Sequence, residues 1–298
     1  MCEKCISRRS GAAGVLLLAC AALAAGPAMA REWSGMATLG FGVIDRDDDD
    51  TQSSLGLAGR NRMVFDDRYV LQLQNGAEGF KSGDDTPVAS FLQLDARVKL
   101  DSGIEVGPYL GLGALDDDAG TTTTLKLLGG SAQVDMGQSV VSGFAGLTEG
   151  ASEDLTDYGF AGSFRPDDMT ILAGSVLVET GDSGTNALWG LGAARELRDG
   201  VTLHGGVSFL TAETMQDATV MSVGMSYALS AQPGSPVLNG ELLYETGDGA
   251  DKRGLKMGIT FPVGAAANGP STAANSHFQS IMDPRKTLEM NMVGLTGF

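Results

Sequence analysis

From Val88 to Leu100 the even positions Val88, Leu92, Leu94, Ala96, Val98 and Leu100 are apolar around Ser90, while the odd positions carry Gln93, Asp95, Arg97 and Lys99. After Asp101-Ser102-Gly103 a second run resumes, with Ile104, Val106, Leu110, Leu112 and Ala114 in one phase and Glu105, Gly107, Tyr109 and Gly111 in the other. Successive side chains on a strand point to opposite faces, so a period of two over this length predicts two β-strands and no helix. The loop between them places Gly103 where a three-residue hairpin wants a positive φ. Both runs are at least as long as the roughly 9–11 residues with which a tilted strand crosses a bilayer.

The same rhythm runs along most of the chain. Trp33 to Val43, Leu55 to Phe65, Tyr69 to Leu73, Tyr158 to Phe164, Ala187 to Leu197, Val201 to Phe209, Met221 to Leu229, Leu238 to Tyr244 and Leu255 to Phe261 alternate in the same way. Thr123 to Val134 and Gln138 to Thr148 are glycine-rich and alternate less cleanly, and the facing of Met169 to Thr180 is ambiguous. Connectors alternate as well, with tight turns near residues 66, 102, 136, 167, 199 and 233 and longer polar loops near 49, 81, 118, 153, 183, 215 and 248. The expected fold is all-β, a transmembrane antiparallel up-and-down barrel of about fourteen strands, an even number as such barrels require. Pro108 falls inside a strand, where it has no N–H for the ladder, and implies a bulge or a local pairing defect.

The aromatic residues offer an independent test. If the first strand runs outward, Trp33, Phe65, Tyr69, Phe164, Tyr227 and Phe261 fall at one membrane interface, and Phe41, Tyr158, Trp189, Phe209 and Tyr244 at the other. All share the apolar phase. Two girdles of interfacial rings belong to a membrane barrel, whereas a soluble β-sandwich, the competing fold, has no reason for them. Over residues 31–263 the pattern resembles bacterial outer-membrane β-barrel proteins, and small monomeric porins more than trimeric ones, because no loop is long enough to fold inward as a constriction. The resemblance is one of architecture and has no sequence motif. It implies a Gram-negative outer membrane, lipid and lipopolysaccharide around a monomer, and passive diffusion of ions and small hydrophilic solutes. The alternative is a non-conducting structural or adhesion barrel, or the translocator barrel of a secretion system.

The N-terminus fits export. Lys4, Arg8 and Arg9 precede the apolar run Ala12 to Ala25, too short to span, and Pro27-Ala28-Met29-Ala30 supplies an A-x-A cleavage site. Residues 1–30 therefore read as a signal peptide. Weaker readings are a lipobox at Cys20, which lacks the usual polar tether after it, and a twin-arginine signal at Arg8-Arg9. Cys2, Cys5 and Cys20 all lie in this leader, so the mature chain would have neither disulfides nor thiolate chemistry. Residues 264–298 are open between two readings. Either His277 to Met282 and Lys286 to Phe298 add a hairpin, for sixteen strands, or the tail hangs in the periplasm. Leu288, Met290, Met292 and Phe298 share a phase, and a terminal phenylalanine after alternation resembles an outer-membrane assembly signal, from which Gly294 and Thr296 depart.

Charge narrows the function. With 37 Asp and Glu against 20 Lys and Arg, nucleic acid is excluded as a partner, because phosphate binding needs clustered cations. By strand phase Arg60, Arg62, Arg68, Arg97, Lys99, Lys126, Lys252 and Lys256 point inward against Asp95, Glu105, Glu241 and Glu245. Arg60, Arg62, Arg68, Arg97 and Lys99 lie on three consecutive strands. They form either one positive wall that biases a pore toward anions, or half of a set of ion pairs that only keeps the interior wet. Asp47 to Asp50 and Asp116 to Asp118 read as solvated loop and lack the spacing of a calcium loop. Only His204 and His277 are available for catalysis. His204 and Ser208, four apart on a strand, would be about 13 Å from each other, too far for proton transfer. His204 is expected to line the lumen, and no catalytic residue, metal or cofactor is expected.

Overall fold

The computed structural model describes residues 32–46, 49–81, 85–116, 121–150, 154–198, 200–213, 217–232, 234–247, 251–264 and 276–285. The leader and the end of the tail, with its terminal phenylalanine, lie outside these residues. Fourteen strands follow one another: Glu32–Arg46 (β1), Asp49–Phe65 (β2), Tyr69–Lys81 (β3), Val88–Lys99 (β4), Ile104–Asp116 (β5), Thr122–Asp135 (β6), Ser139–Glu149 (β7), Asp154–Asp167 (β8), Thr170–Gly181 (β9), Gly184–Arg198 (β10), Val201–Ala212 (β11), Ala218–Ala228 (β12), Val237–Gly247 (β13) and Lys252–Gly264 (β14). Each pairs with its neighbour in sequence, and β14 returns to β1, from Ser34 opposite Gly264 to Arg46 opposite Lys252. Closure removes both sheet edges, which in lipid would leave backbone groups without partners. No edge is left for a fifteenth and sixteenth strand.

The alternation sorts the residues as expected. Leu55, Leu191 and Val223 stand on the outer surface at 62%, 63% and 61% exposure, while Thr38, Gln72, Ser131, Thr202 and Ser226 are buried inside. Exposed apolar side chains all around a polar interior cost heavily in water and little in hydrocarbon, so the surface is built for a bilayer. Eight of the eleven girdle rings are exposed on the outside: Phe41, Tyr69, Tyr158, Phe164, Trp189, Phe209, Tyr227 and Phe261. The remaining three, Trp33, Phe65 and Tyr244, are half-buried in the same phase.

Three local features differ from, or refine, the sequence reading. Asp66 and Asp67 both take positive φ, 51° and 56°, and Arg68 N–H donates to Phe65 O, so β2 and β3 are joined by a two-residue turn of the hairpin-favouring hand. The connection near 183 is equally tight, because β9 and β10 pair out to Gly181 opposite Gly184. Pro108 does break the ladder: the β4–β5 register passes from Asp95 opposite Tyr109 to Val98 opposite Val106, leaving Ala96 and Arg97 unpaired on that side. The gap is also tight, since a Cβ on Gly107 would fall 1.9 Å from Ala96 O.

His277–Met282, a strand under one reading of the tail and part of a periplasmic segment under the other, is a helix (α1) inside the barrel. Ser276 caps it by accepting from Gln279 N–H at 3.3 Å, and buried His277, Phe278 and Ile281 fall on one helical face. Ser276 and Gln279 have the spacing of a capping box, a helix-start signal that period-two counting passes over.

Candidate functional site: the lumen and its internal helix

Glycines make room for α1. Gly190 and Gly192 on β10 and Gly206 on β11 point inward, and a Cβ at each would come within 2.9, 2.8 and 2.4 Å of Ile281 or Phe278. Phe278 and Ile281 sit in this notch against Ile171, Ala173 and Ala194. Gly190-Leu191-Gly192, unremarkable in the sequence, is thus the seat of the helix.

Polar contacts hold both ends. At the start of α1, His277 Nε2 lies 2.8 Å from Ser208 Oγ on β11 and Nδ1 lies 3.0 Å from Ser222 Oγ on β12, while the His277 backbone N–H donates to the Glu241 carboxylate on β13 at 3.1 Å. A histidine between two hydroxyls has the outline of a nucleophile and its base, yet both His277 and Ser208 are buried, and the contacts tie helix to wall. Burial, then the nearby Lys256, pulls the His277 imidazole down to about 4, so it docks neutral. Past α1, Gln74 Nε2 donates to Asp283 at 2.5 Å, and Arg285 reaches Asp95 on β4 at 3.1 Å. Residues 276–285 therefore cross the lumen from β11–β13 to β3–β4.

Among the residues expected to line the lumen, two groups converge. Arg62 and Arg97 both face Glu105: Arg62 pairs with it directly, and Arg97 is 3.8 Å from it and 3.3 Å from Asp95. His204, Glu241 and Lys256 form the second group, with His204 Nδ1 3.8 Å from Glu241 and Lys256 opposite Glu241 in the β13–β14 register. Glu245 pairs separately with Lys252 at 2.6 Å. Arg60 faces a cavity of about 350 Å³ toward the short-turn end, lined also by Arg62, Gln72, Arg97, Gln133 and Arg285.

The continuous positive wall does not form. Arg68 sits in the β2–β3 turn and Lys99 ends β4, both exposed at the rim, while Arg62 and Arg97 are neutralised by carboxylates. Lys126 faces away from the lumen and pairs with Glu149 at 3.0 Å on the outer surface. The cause is Leu127-Leu128, equally greasy on both sides: buried Leu127 takes the inward phase, which turns Lys126 out.

The sequence reading missed His277, Asp283 and Arg285 because nothing local ties the tail to the wall. It also missed Asp157 and Glu179, which lie inside, and gave Tyr109 the inward phase of Glu105 without singling it out. Asp157 accepts from Tyr109 OH at 2.8 Å and stands opposite Glu179 on β9. Among the described residues no group of three or more histidines and carboxylates could hold a metal ion.

No protein-family model matches the chain, and no curated protein matches it. Solved structures do resemble it. An anion-selective porin from Comamonas acidovorans superposes with a TM-score of 0.50 at 12% identity, over 78% of this chain and 99% of that one. OmpT of Vibrio cholerae, lacking loop L8, gives 0.47 at 12% over 78% and 99%, and OccAB1 of Acinetobacter baumannii gives 0.47 at 8% over 81% and 99%. The likeness is one of fold: the chain is a closed fourteen-strand outer-membrane-type β-barrel that resembles porins in architecture.

Proposed function

We propose that the chain is an outer-membrane channel for passive diffusion of ions and small hydrophilic solutes, closed at rest by residues 276–285. One observation carries the reading: the barrel is apolar outside and polar inside along its length, with a carboxylate, guanidinium and hydroxyl lining that a purely structural wall does not need. The leader inferred from residues 1–30 supports export, and the porin-like fold supports the membrane. His277 and Ser208 serve as a latch in this reading, without catalysis. The internal helix also suits the second reading, a barrel that never conducts.

Planar-bilayer recording separates the two. The unsubstituted chain is expected to give rare, brief openings, and a variant with Phe278→Asp and Ile281→Asp, which cannot keep α1 in its apolar notch, long open steps. A variant that folds into a heat-modifiable barrel and stays silent would overturn the channel.

A further inference from the structure

Arg285 occupies a place shaped for a guanidinium. Its Cζ lies 5.0 Å from the centroid of the Tyr109 ring and 5.2 Å from that of Phe144, and its Nη1 lies 3.1 Å from Asp95 Oδ1. Two ring faces and a carboxylate are what a planar cation needs: the rings supply negative quadrupole faces, and the carboxylate accepts the in-plane N–H groups. The parts are held before any ligand arrives. Asp95 is fully buried and accepts from Gln93 Nε2 at 2.9 Å, Ser131 Oγ at 3.3 Å and Arg97 Nη2 at 3.3 Å, and the Tyr109 hydroxyl is pinned by Asp157.

Ownership of these groups is divided. Asp95, Tyr109, Phe144 and Asp157 belong to the barrel wall, on β4, β5, β7 and β8, whereas the cation is carried by the segment after α1. Asp283, 3.4 Å from Arg285 Nε, travels with it. If that segment withdrew, the wall would keep its carboxylates and both rings, Asp95 would keep Arg97 on one side, and the two ring faces would lose the guanidinium that stacks on them. Beside them Glu179, opposite Asp157, has a buried carboxylate oxygen with no hydrogen-bond partner among the described residues, a further acceptor on the same wall.

We propose that this wall is a binding subsite for the guanidinium group of a cationic solute, and that Arg285 is its tethered occupant. The proposal rests on the channel reading for its biological sense, though its chemistry stands alone. A solute that carries a guanidinium competes with Arg285 for Asp95 and the two rings, so its arrival releases one end of the segment that crosses the lumen. Tethering gives Arg285 an effective concentration in the millimolar range, which the solute must exceed or out-bind. Weak binding to the resting barrel and tighter binding once Arg285 is removed follow directly.

The test is calorimetric titration of ethylguanidinium, ethylammonium and acetate into the full chain folded in detergent, beside Arg285→Ala and Arg285→Gln. Ethylguanidinium is expected to bind either variant at least about tenfold tighter than the unsubstituted chain and tighter than ethylammonium, with no acetate binding. Adding Asp95→Asn to Arg285→Ala should abolish it. Ethylguanidinium should also raise the thermal midpoint of Arg285→Ala and leave that of the double variant unmoved. A folded Arg285 variant that binds ethylguanidinium no better than the unsubstituted chain, or no better than ethylammonium or acetate, overturns the subsite. No current is measured, so a barrel that binds without conducting keeps the subsite and loses the channel, and the reverse result does the opposite.

Discussion

Arg97, beside the Pro108 gap in the β4–β5 ladder, gathers two carboxylates and two polar side chains: its guanidinium reaches Asp95, Ser131, Gln133 and Glu105. Removing a buried partner strands the other, a loss that ordinarily costs about 3–5 kcal/mol. Arg97→Gln should cost less, about 2 kcal/mol, since Arg285 stays on Asp95 and Arg62 on Glu105. Urea unfolding from lipid vesicles measures the difference. His277 sets a pH dependence. Its docked value of about 4 lies below the usual 6.5, so the free segment takes up a proton that the docked one refuses. Docking is therefore complete above about pH 6.5 and weakens as the pH falls toward 4. The groups facing the ring and its backbone are Ser208, Ser222, Glu241 and Lys256, with Lys256 adding to the cost of protonation. Open probability in bilayers should rise by on the order of tenfold from pH 7 to 5. A His277→Gln chain should show a flat profile over that range, and an equally steep one would sink the assignment.

At the scale of the element, α1 and its seat are complementary surfaces made by different parts of the chain. The strands contribute absence, through Gly190, Gly192 and Gly206, and the helix contributes Phe278 and Ile281. Gly190→Val is the cleanest probe, because its nearest neighbours are Ile281 and the Ser175 hydroxyl and none is backbone. Its extended backbone accepts a β-branched residue, so the barrel should fold as before, or slightly more stably. The helix should lose its place. Expected are a larger fraction of time open and faster proteolysis within residues 276–285, both read against the unsubstituted chain. Unchanged cleavage would mean that the notch does not seat the helix.

For the whole molecule, charge is distributed along the lumen. Toward the short-turn end Arg60, Arg62, Arg97 and Arg285 line the cavity, with Glu105 and Asp95 behind them. Toward the long-loop end stand Asp157 and Glu179. An open pore would then present Arg60 and the carboxylate-paired Arg62 and Arg97 at one end and buried acids at the other, and selectivity follows the narrower of the two. Exchanging Arg60 and Arg62 for glutamine in the Gly190→Val background should move the reversal potential under a salt gradient toward cations. A potential that does not move would place the selective constriction elsewhere in the lumen.

The strand count, the short turns other than the one near 183, the outward rings and the defect at Pro108 were legible in the sequence. Each follows from local chemistry: side-chain alternation, turn residues and the missing proline N–H act between near neighbours and leave their period in the chain. The inward placement of Asp95, Arg97, Glu105, His204 and Glu241 was legible for the same reason, whereas Lys126 failed where two adjacent leucines erased the phase. What occupies the lumen was decided only by tertiary structure. His277 meets Ser208 across 69 positions, and Arg285 meets Asp95 across 190. Contacts at such separations have no periodic trace, because they depend on where barrel closure brings distant strands and not on the spacing along any one of them.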